Sequence, residues 1–290
     1  MPTVTIGFVA RERFSKAASC LERLFDCTSI PFRLVIVDGN IPRRYRDEME
    51  KALQGRSNVR VIRKDHYLLP NRARNLVIEH CDDDYVCLIE NDVLVRAGWL
   101  SRLLAVCEGY PADVAVPVML EPGEDQAEHL HGDWRLGQVE EWLEDGRVRR
   151  RIIPGQPHGP PGATHFPIQF PESHCLLFRR AVLKRIGPLD EELTSRDFVD
   201  LCLQLHHARA VVVLDTGCRV TVQPPPPVEA EERDFSLFRW DTRRANWSHH
   251  RIQQRWNLEE LPSALSFAIE RLGIALGAVD RPHRILDCWS

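Results

Sequence analysis

Short unbroken apolar runs recur along the first part of this chain, and each gives way to a segment whose apolar positions repeat at helical spacing. Val4 to Val9 is a β-branched run, and Ser15 to Phe25 follows it with a helical pattern. Phe32 to Val37 is a second run that ends in Asp38-Gly39-Asn40, after which Arg43 to Leu53 reads as a polar helix. Val59 to Ile62, Tyr85 to Ile89 and Ala112 to Met119 continue the strands, with helices from Asn71 to His80 and from Trp99 to Cys107 between them. Such alternation specifies βαβ units and an α/β fold with a mostly parallel sheet, covered by helices on both faces. Sheets of this kind bind ligands beyond the carboxyl ends of their strands. Asp38 and the group Glu90-Asn91-Asp92 both stand at such ends, so two acidic strand termini are expected to face one crevice.

The rhythm breaks after residue 120. Residues 121–172 are polar, and 154–171 are rich in Gly, Pro and His, which reads as a long functional loop. Regular structure resumes with a strand at His174 to Phe178 and a helix at Arg180 to Ile186, stopped by Gly187-Pro188. A turn at Asp190 to Thr194 precedes a helix from Phe198 to His207, with Asp197 at its start. Strands at Ala210 to Leu214 and Arg219 to Val222 then lead to the prolines at 224–227. The remainder reads as helical, with Trp240, Trp247 and Trp256 spaced as anchors onto the main body. The expected organisation is a domain over 1–223, with halves 1–120 and 121–223, and a helical extension over 224–290.

Composition narrows the classes. With 290 residues, 43% of them hydrophobic, the chain can bury a substantial core. A net charge of −4 excludes the basic field that a nucleic-acid partner requires, and the cluster Arg147 to Arg151 reads as a solvated surface. The N-terminal apolar stretch is too short for a secretory signal, and Ala264 to Val279 is interrupted by Glu270 and Arg271, so a cytoplasmic protein is expected. Nine cysteines without a CxxC pair read as buried thiols rather than as disulfides or a zinc site.

Glu90 and Asp92 pose a chemical question. Carboxylates at i and i+2 on a buried strand end repel each other and lose hydration. The pair becomes favourable around a divalent cation, because hard cations prefer carboxylate oxygen and complete their shell with water and substrate phosphates. The order of segments then resembles the family 2 glycosyltransferases, which have the GT-A (nucleotide-diphosphosugar transferase) fold, over roughly Thr3 to Val222. The matching stretches are TVTIGFVARERF, LVIVDGN, the Ala73-Arg74-Asn75 of NRARNLVIEH, CLIEND at the place of the metal-binding DxD motif, and HCLLFRRAVLKRIGPLDEEL followed by SRDFVDLCLQL.

This resemblance implies transfer of a sugar, with inversion, from a UDP-, GDP- or dTDP-sugar to a hydroxyl on a glycan, lipid-linked or small-molecule acceptor. It assigns Val9, Ala10, Arg11, Asp38, Arg74, Asn75, Glu90 and Asn91 to the nucleotide-sugar. Asp92 and Glu90 would hold Mn2+ or Mg2+, with Asp92 the principal ligand. Asp197, or else Asp200, would be the base at a helix N-terminus, where the dipole favours a charged carboxylate. His174 and Trp134 fall on the acceptor side, His158, His165 and Trp142 are weaker candidates there, and a peripheral membrane contact is implied for the helical tail. The chain departs from the family pattern at Glu90, where aspartate is usual, and at Gln223, which stands near the place of a metal-binding histidine. Those departures leave a non-catalytic nucleotide- or glycan-binding protein as the alternative. A Rossmann dehydrogenase would need G-x-G-x-x-G where this chain has FVARERF, and a sugar nucleotidyltransferase would need a Gly-rich loop there.

Overall fold

The computed structural model describes residues 2–11, 13–122, 128–130, 137–153, 162–223, 228–261 and 265–277. The first βαβ units form as their patterns require: β1 (Val4–Val9), α1 (Ala17–Cys27), β2 (Arg33–Gly39), α2 (Arg43–Ala52), β3 (Val59–Lys64), α3 (Pro70–Glu79) and β4 (Tyr85–Glu90). A short β5 (Val93–Leu94) leads to α4 (Trp99–Gly109) and β6 (Val114–Pro122). Residues expected to be a polar loop carry β7 (Glu128–Leu130), β8 (Gln138–Glu144), β9 (Arg147–Ile153) and β10 (His165–Ile168). Then come β11 (Cys175–Arg179), α5 (Arg180–Ile186), α6 (Asp197–His207) and β12 (Val212–Val222). The two late strands expected from the pattern are thus one strand, whose register shifts between Asp215 and Arg219. The extension contributes α7 (Arg233–Arg239), α8 (Thr242–Trp256) and α9 (Leu265–Ala275).

The main sheet runs β10-β12-β6-β11-β4-β1-β2-β3, with β5 on β12 and β7 on β6. Its β3-β2-β1-β4 side is parallel, as the βαβ pattern dictates. Beyond β4 the sheet becomes mixed, because β11 enters antiparallel between β4 and β6. An apolar run shows that a strand is buried but carries no mark of its partner, so β6 looks in sequence like the neighbour of β4, whereas β11 lies between them and β6 runs parallel to β12.

Period-2 alternation sends neighbouring residues to opposite faces. Ile6, Leu34 and Ile36 join α1, α2 and α4 in one core, while Val35, Val37 and Leu88 join α3, α5 and α6 in the other. A third cluster packs Val139 and Ile152 of the β8–β9 hairpin against Phe170, α6 and the α8 residues Ile252 and Trp256. Trp240 and Trp256 are buried anchors as expected, but Trp247 is 42% exposed and stacks with Arg251. The Arg147–Arg151 cluster is β9, and Arg149, Arg150 and Arg151 pair with Glu144, Glu141 and Glu140 across or beside the hairpin. Such exposed pairs contribute little stability and neutralise the patch. No helix among the described residues is long and apolar enough to cross a membrane.

β1 and α3 touch most closely at Gly7, where an added Cβ would overlap both γ-carbons of Val77. Gly7→Ala is expected to lower the urea midpoint by an amount worth about 1–3 kcal/mol, the ordinary cost of overpacking. An unchanged midpoint would show that α3 shifts freely against the sheet.

Candidate active site

The parallel register places the site. Val9 lies level with Val37 and with Glu90, so the carboxyl ends of β1, β2 and β4 form one rim, as a parallel sheet requires. Asp38 stands on that rim, buried. Its Oδ1 accepts from the Ile41 N–H at 2.8 Å, and its Oδ2 lies 3.1 Å from Arg46 and 3.6 Å from Arg63. The turn and the rim roles of Asp38 therefore coexist. Arg11 follows β1: its N–H donates to Asn91 Oδ1 at 3.1 Å and its guanidinium to Glu90 Oε2 at 3.2 Å. Asn91 Nδ2 in turn donates to the Arg13 carbonyl. Asn91 thus shapes the loop after Val9 and Ala10 from the neighbouring strand end.

Arg74 is not a surface arginine. It projects from α3 with 1% exposure, and its Nη2 donates to Glu90 Oε1 and its Nη1 to Asp197 Oδ2, both at 2.6 Å. Asp197 is the first residue of α6, set there by Arg196, which adopts the left-handed region at φ 57°. A non-glycine residue held in that region stores strain, which is concentrated at functional sites. Burial alone would push the Asp197 carboxyl up. The guanidinium groups of Arg74, Arg11 and Arg239 outweigh it and hold the carboxyl at about 2. Arg239 comes from α7, with Nη2 3.9 Å from Asp197 Oδ1.

Asp92 follows β4 and is buried, and its carbonyl accepts from the Gln223 N–H at 2.8 Å, which ties the turn to the end of β12. The Gln223 side chain donates to Cys20 Sγ at 3.2 Å, and burial beside Asp92 pushes that thiol up to about 12. His174 corrects its acceptor-side assignment. The start of β11 brings it to Glu90, with Nε2 3.4 Å from Glu90 Oε2 and Nδ1 on Glu172. Burial pushes the imidazole down, but Glu172 and Glu90 outweigh it and raise it to about 9. Glu90, Asp92 and His174 offer ligand atoms within 4.8 Å of one another, all buried. The two carboxylates suit a hard cation such as Mn2+ or Mg2+, and a buried acidic pair is the place where such a charge relieves repulsion. His174, at the start of an antiparallel strand, thus places an imidazole beside Glu90 and Asp92.

Two assignments move elsewhere. Asn75 points away from the rim: its Nδ2 donates to the Leu189 carbonyl at 2.9 Å and its Oδ1 accepts from the Leu189 N–H, so it fastens α3 to the turn before α6. Asp200 accepts from Trp256 Nε1 at 2.7 Å, from Arg255 and from Gln204, and burial raises its carboxyl despite those partners. Its place is the junction of α6 with α8. Trp142 lies beside Arg151 on the hairpin and His165 on the sheet edge beside Asp215, whereas Trp134 and His158 lie outside the described residues. Reading the sequence missed Glu172 and Arg239. Arg239 sits in the otherwise apolar SLFRW, and a charge so placed is the signal that it turns inward.

Comparison with known proteins fits this arrangement. The family model described as glycosyl transferase family 2 matches residues 8–187. The chain belongs to that family. This family 2 glycosyltransferase is 27% identical over 203 residues to the pre-mycofactocin glycosyltransferase of Mycobacterium tuberculosis, in strains CDC 1551 / Oshkosh and H37Rv. The match takes in 68% of this chain and 37% of each relative, so the chain spans little more than a third of their length. S. aureus TarS 1–349 in complex with UDP-GlcNAc aligns with a TM-score of 0.59 at 15% identity, over 94% of this chain and 71% of that one. GalNAc-T7 with UDP, GalNAc and Mn2+ aligns with a TM-score of 0.59 at 11% identity, over 99% and 58%. These structures share the GT-A fold with this chain, and the family model places it among the family 2 glycosyl transferases.

Arg74→Met is expected to cost about 3–5 kcal/mol in chemical unfolding, because it removes the buried cation that Glu90 and Asp197 share. A loss below about 1 kcal/mol would show that water already screens them. Asp197 adds a pH signature. Its folded value of about 2 lies below the ordinary 3.8. The carboxylate therefore contributes about 2 kcal/mol that is complete above about pH 4 and is lost as the pH falls through about 2. Asp197→Asn should lose that part of the acid limb in stability measured against pH.

Proposed function

We propose that the protein is an inverting glycosyltransferase that moves a sugar from a nucleotide-diphosphate donor to an acceptor hydroxyl. The observation that carries this reading is the juxtaposition of the Glu90, Asp92 and His174 donor set with Asp197, bridged by Arg74. On this reading the nucleoside lies along the β1–β2 rim, with Asp38 and the loop from Val9 to Arg11 on base and ribose. Asp92, Glu90 and His174 would hold Mn2+ or Mg2+, which when bound offsets the charge gathering on the departing diphosphate. The complexes of TarS with UDP-GlcNAc and of GalNAc-T7 with UDP and Mn2+ favour a uridine diphosphate donor.

Asp197 is the proposed base. It is ionised throughout the physiological range, and the positive end of α6 favours its charge. Its low proton affinity makes it a poor base toward a resting hydroxyl. The acceptor proton accordingly leaves late, after the forming bond to the anomeric carbon has made the hydroxyl acidic. Attack from the face opposite the leaving diphosphate inverts the anomeric centre. The acceptor, whether glycan, lipid-linked or small molecule, would approach from the side of α6 and the β8–β9 hairpin. A cytoplasmic location and a peripheral membrane contact of the extension belong to the same reading.

Calorimetric titration with UDP, GDP and dTDP, each with and without Mn2+, tests the site. Binding of one nucleotide that tightens with Mn2+ and is lost in Asp92→Ala is the expected result, whereas equal binding without the ion would remove Glu90, Asp92 and His174 as a cation site. His174 must shed its proton to become a ligand, so Mn2+ binding should weaken as the pH falls below about 9 and should release protons to the buffer. Asp197→Asn should abolish transfer and leave nucleotide affinity within about twofold, in line with loss of a group acting only in the reaction. Unchanged turnover would retire Asp197 as base.

A further inference from the structure

We propose that Glu232, in the C-terminal extension, is a positioning residue for the donor: it holds the loop after β1 in its binding shape. The inference rests on the reading of that loop as part of the nucleotide-sugar site.

A helix leaves its first N–H groups without internal partners, and they are usually met by a nearby side chain. Here Phe14 to Lys16 form a 3-10 turn that runs into α1, and neither Arg13 nor Lys16 provides a side-chain cap. The acceptor comes from far along the chain. Glu232 Oε1 accepts from the Phe14 N–H at 2.6 Å and from the Ser15 N–H at 3.1 Å, and the carboxylate is fully buried. Charge-assisted bonds of this kind are among the stronger ones, and a carboxylate at a helix N-terminus also meets the favourable end of the dipole. The other oxygen, Oε2, receives the Glu229 N–H at 3.4 Å, so the same residue closes the turn that starts α7.

The neighbours repeat the connection. Arg13 donates to Ser236 Oγ at 3.3 Å, and the Phe14 ring lies 4.7 Å from that of Phe235, which also meets Tyr67. At its other end the loop is tied to the cation-site strand, through the Arg11 N–H on Asn91 Oδ1 and Asn91 Nδ2 on the Arg13 carbonyl. Arg11, Arg13, Phe14 and Ser15 are therefore strung between Asn91 and Glu232. Val9 and Arg11 line the rim, so their placement depends on α7 being docked, and the extension is a working part of the donor site.

The test uses the full chain as wild type, Glu232→Ala, Glu232→Gln and Glu232→Met. Nucleotide affinity is measured by calorimetry with UDP, GDP and dTDP, and amide exchange is followed over residues 10–16 and over β3. Glu232→Ala is expected to bind the preferred nucleotide about tenfold more weakly, the loss of a cap expressed as affinity. It should exchange faster over 10–16 while β3 keeps its protection. Glu232→Gln, whose side-chain carbonyl still accepts from Phe14, should recover most of the affinity, whereas Glu232→Met, of similar size but without an oxygen acceptor, should not, although it would if the residue merely filled space. Wild-type affinity in Glu232→Ala overturns the proposal. Should the alanine variant fail to fold, Glu232→Asp decides: its shorter carboxylate withdraws from Phe14 and Ser15, so weaker binding with faster exchange over 10–16 supports the proposal and unchanged binding overturns it. A wild-type protein that binds none of the nucleotides sinks the donor reading and this inference together, an outcome distinct from failure of the variants alone.

Discussion

The Arg74 guanidinium, buried between Glu90 and Asp197, is the contact on which the site depends. A buried carboxylate is costly unless paired, and here one cation serves two carboxylates that belong to different parts of the chain. Glu90 ends a parallel strand of the first half, and Asp197 begins a helix of the second. Arg74 makes their separation a property of α3, which is itself locked to β1 at Gly7 and to the Leu189 backbone through Asn75. Energy that a purely apolar junction would not cost is spent on holding two ionised groups a fixed distance apart. That is an intelligible arrangement when one group is meant to face a diphosphate and the other an acceptor hydroxyl.

The extension completes this arrangement by reaching both sides of the crevice. Phe235 of α7 joins the core on the α1–α2 face, while Ile252 and Trp256 of α8 join the cluster beneath α6 and the β8–β9 hairpin. Between them Arg239 comes up to Asp197. Glu232 and Asp200 mark the two ends of the span: the first accepts from the donor loop, the second from Trp256 Nε1. Local opening of a segment so tied would be felt on both sides of the crevice, since the same helices touch the loop after β1 and the start of α6.

Much of this was written in one dimension. The βαβ rhythm up to β4 follows from apolar periodicity, because strands buried on both faces must be apolar throughout and the covering helices amphipathic. The acidic termini at Asp38 and at Glu90 to Asp92 stand out for the same reason, as polar residues at the end of runs that have no other use for them. The strand β11 was legible but its antiparallel place was not, and the β8–β9 hairpin left no such trace. A strand of five residues carries too little pattern to announce its partner, and Arg147 to Arg151 on β9 looks like a charged surface until Glu140, Glu141 and Glu144 are folded across from it.

What the sequence determined by itself is therefore the kind of fold, the rim of strand ends and the carboxylates on it, since each depends on neighbours within a few residues. Tertiary structure alone decided which charges meet. His174 looked like a loop histidine, Asn75 like part of a binding signature and Asp200 like a rival to Asp197. Their neighbours were set because β11 lands beside β4, because the turn at Leu189 lands beside α3, and because Trp256 lands beside α6. Coulomb energy and hydrogen bonding depend on distance through space, and positions far apart in sequence acquire a distance only when the chain has closed.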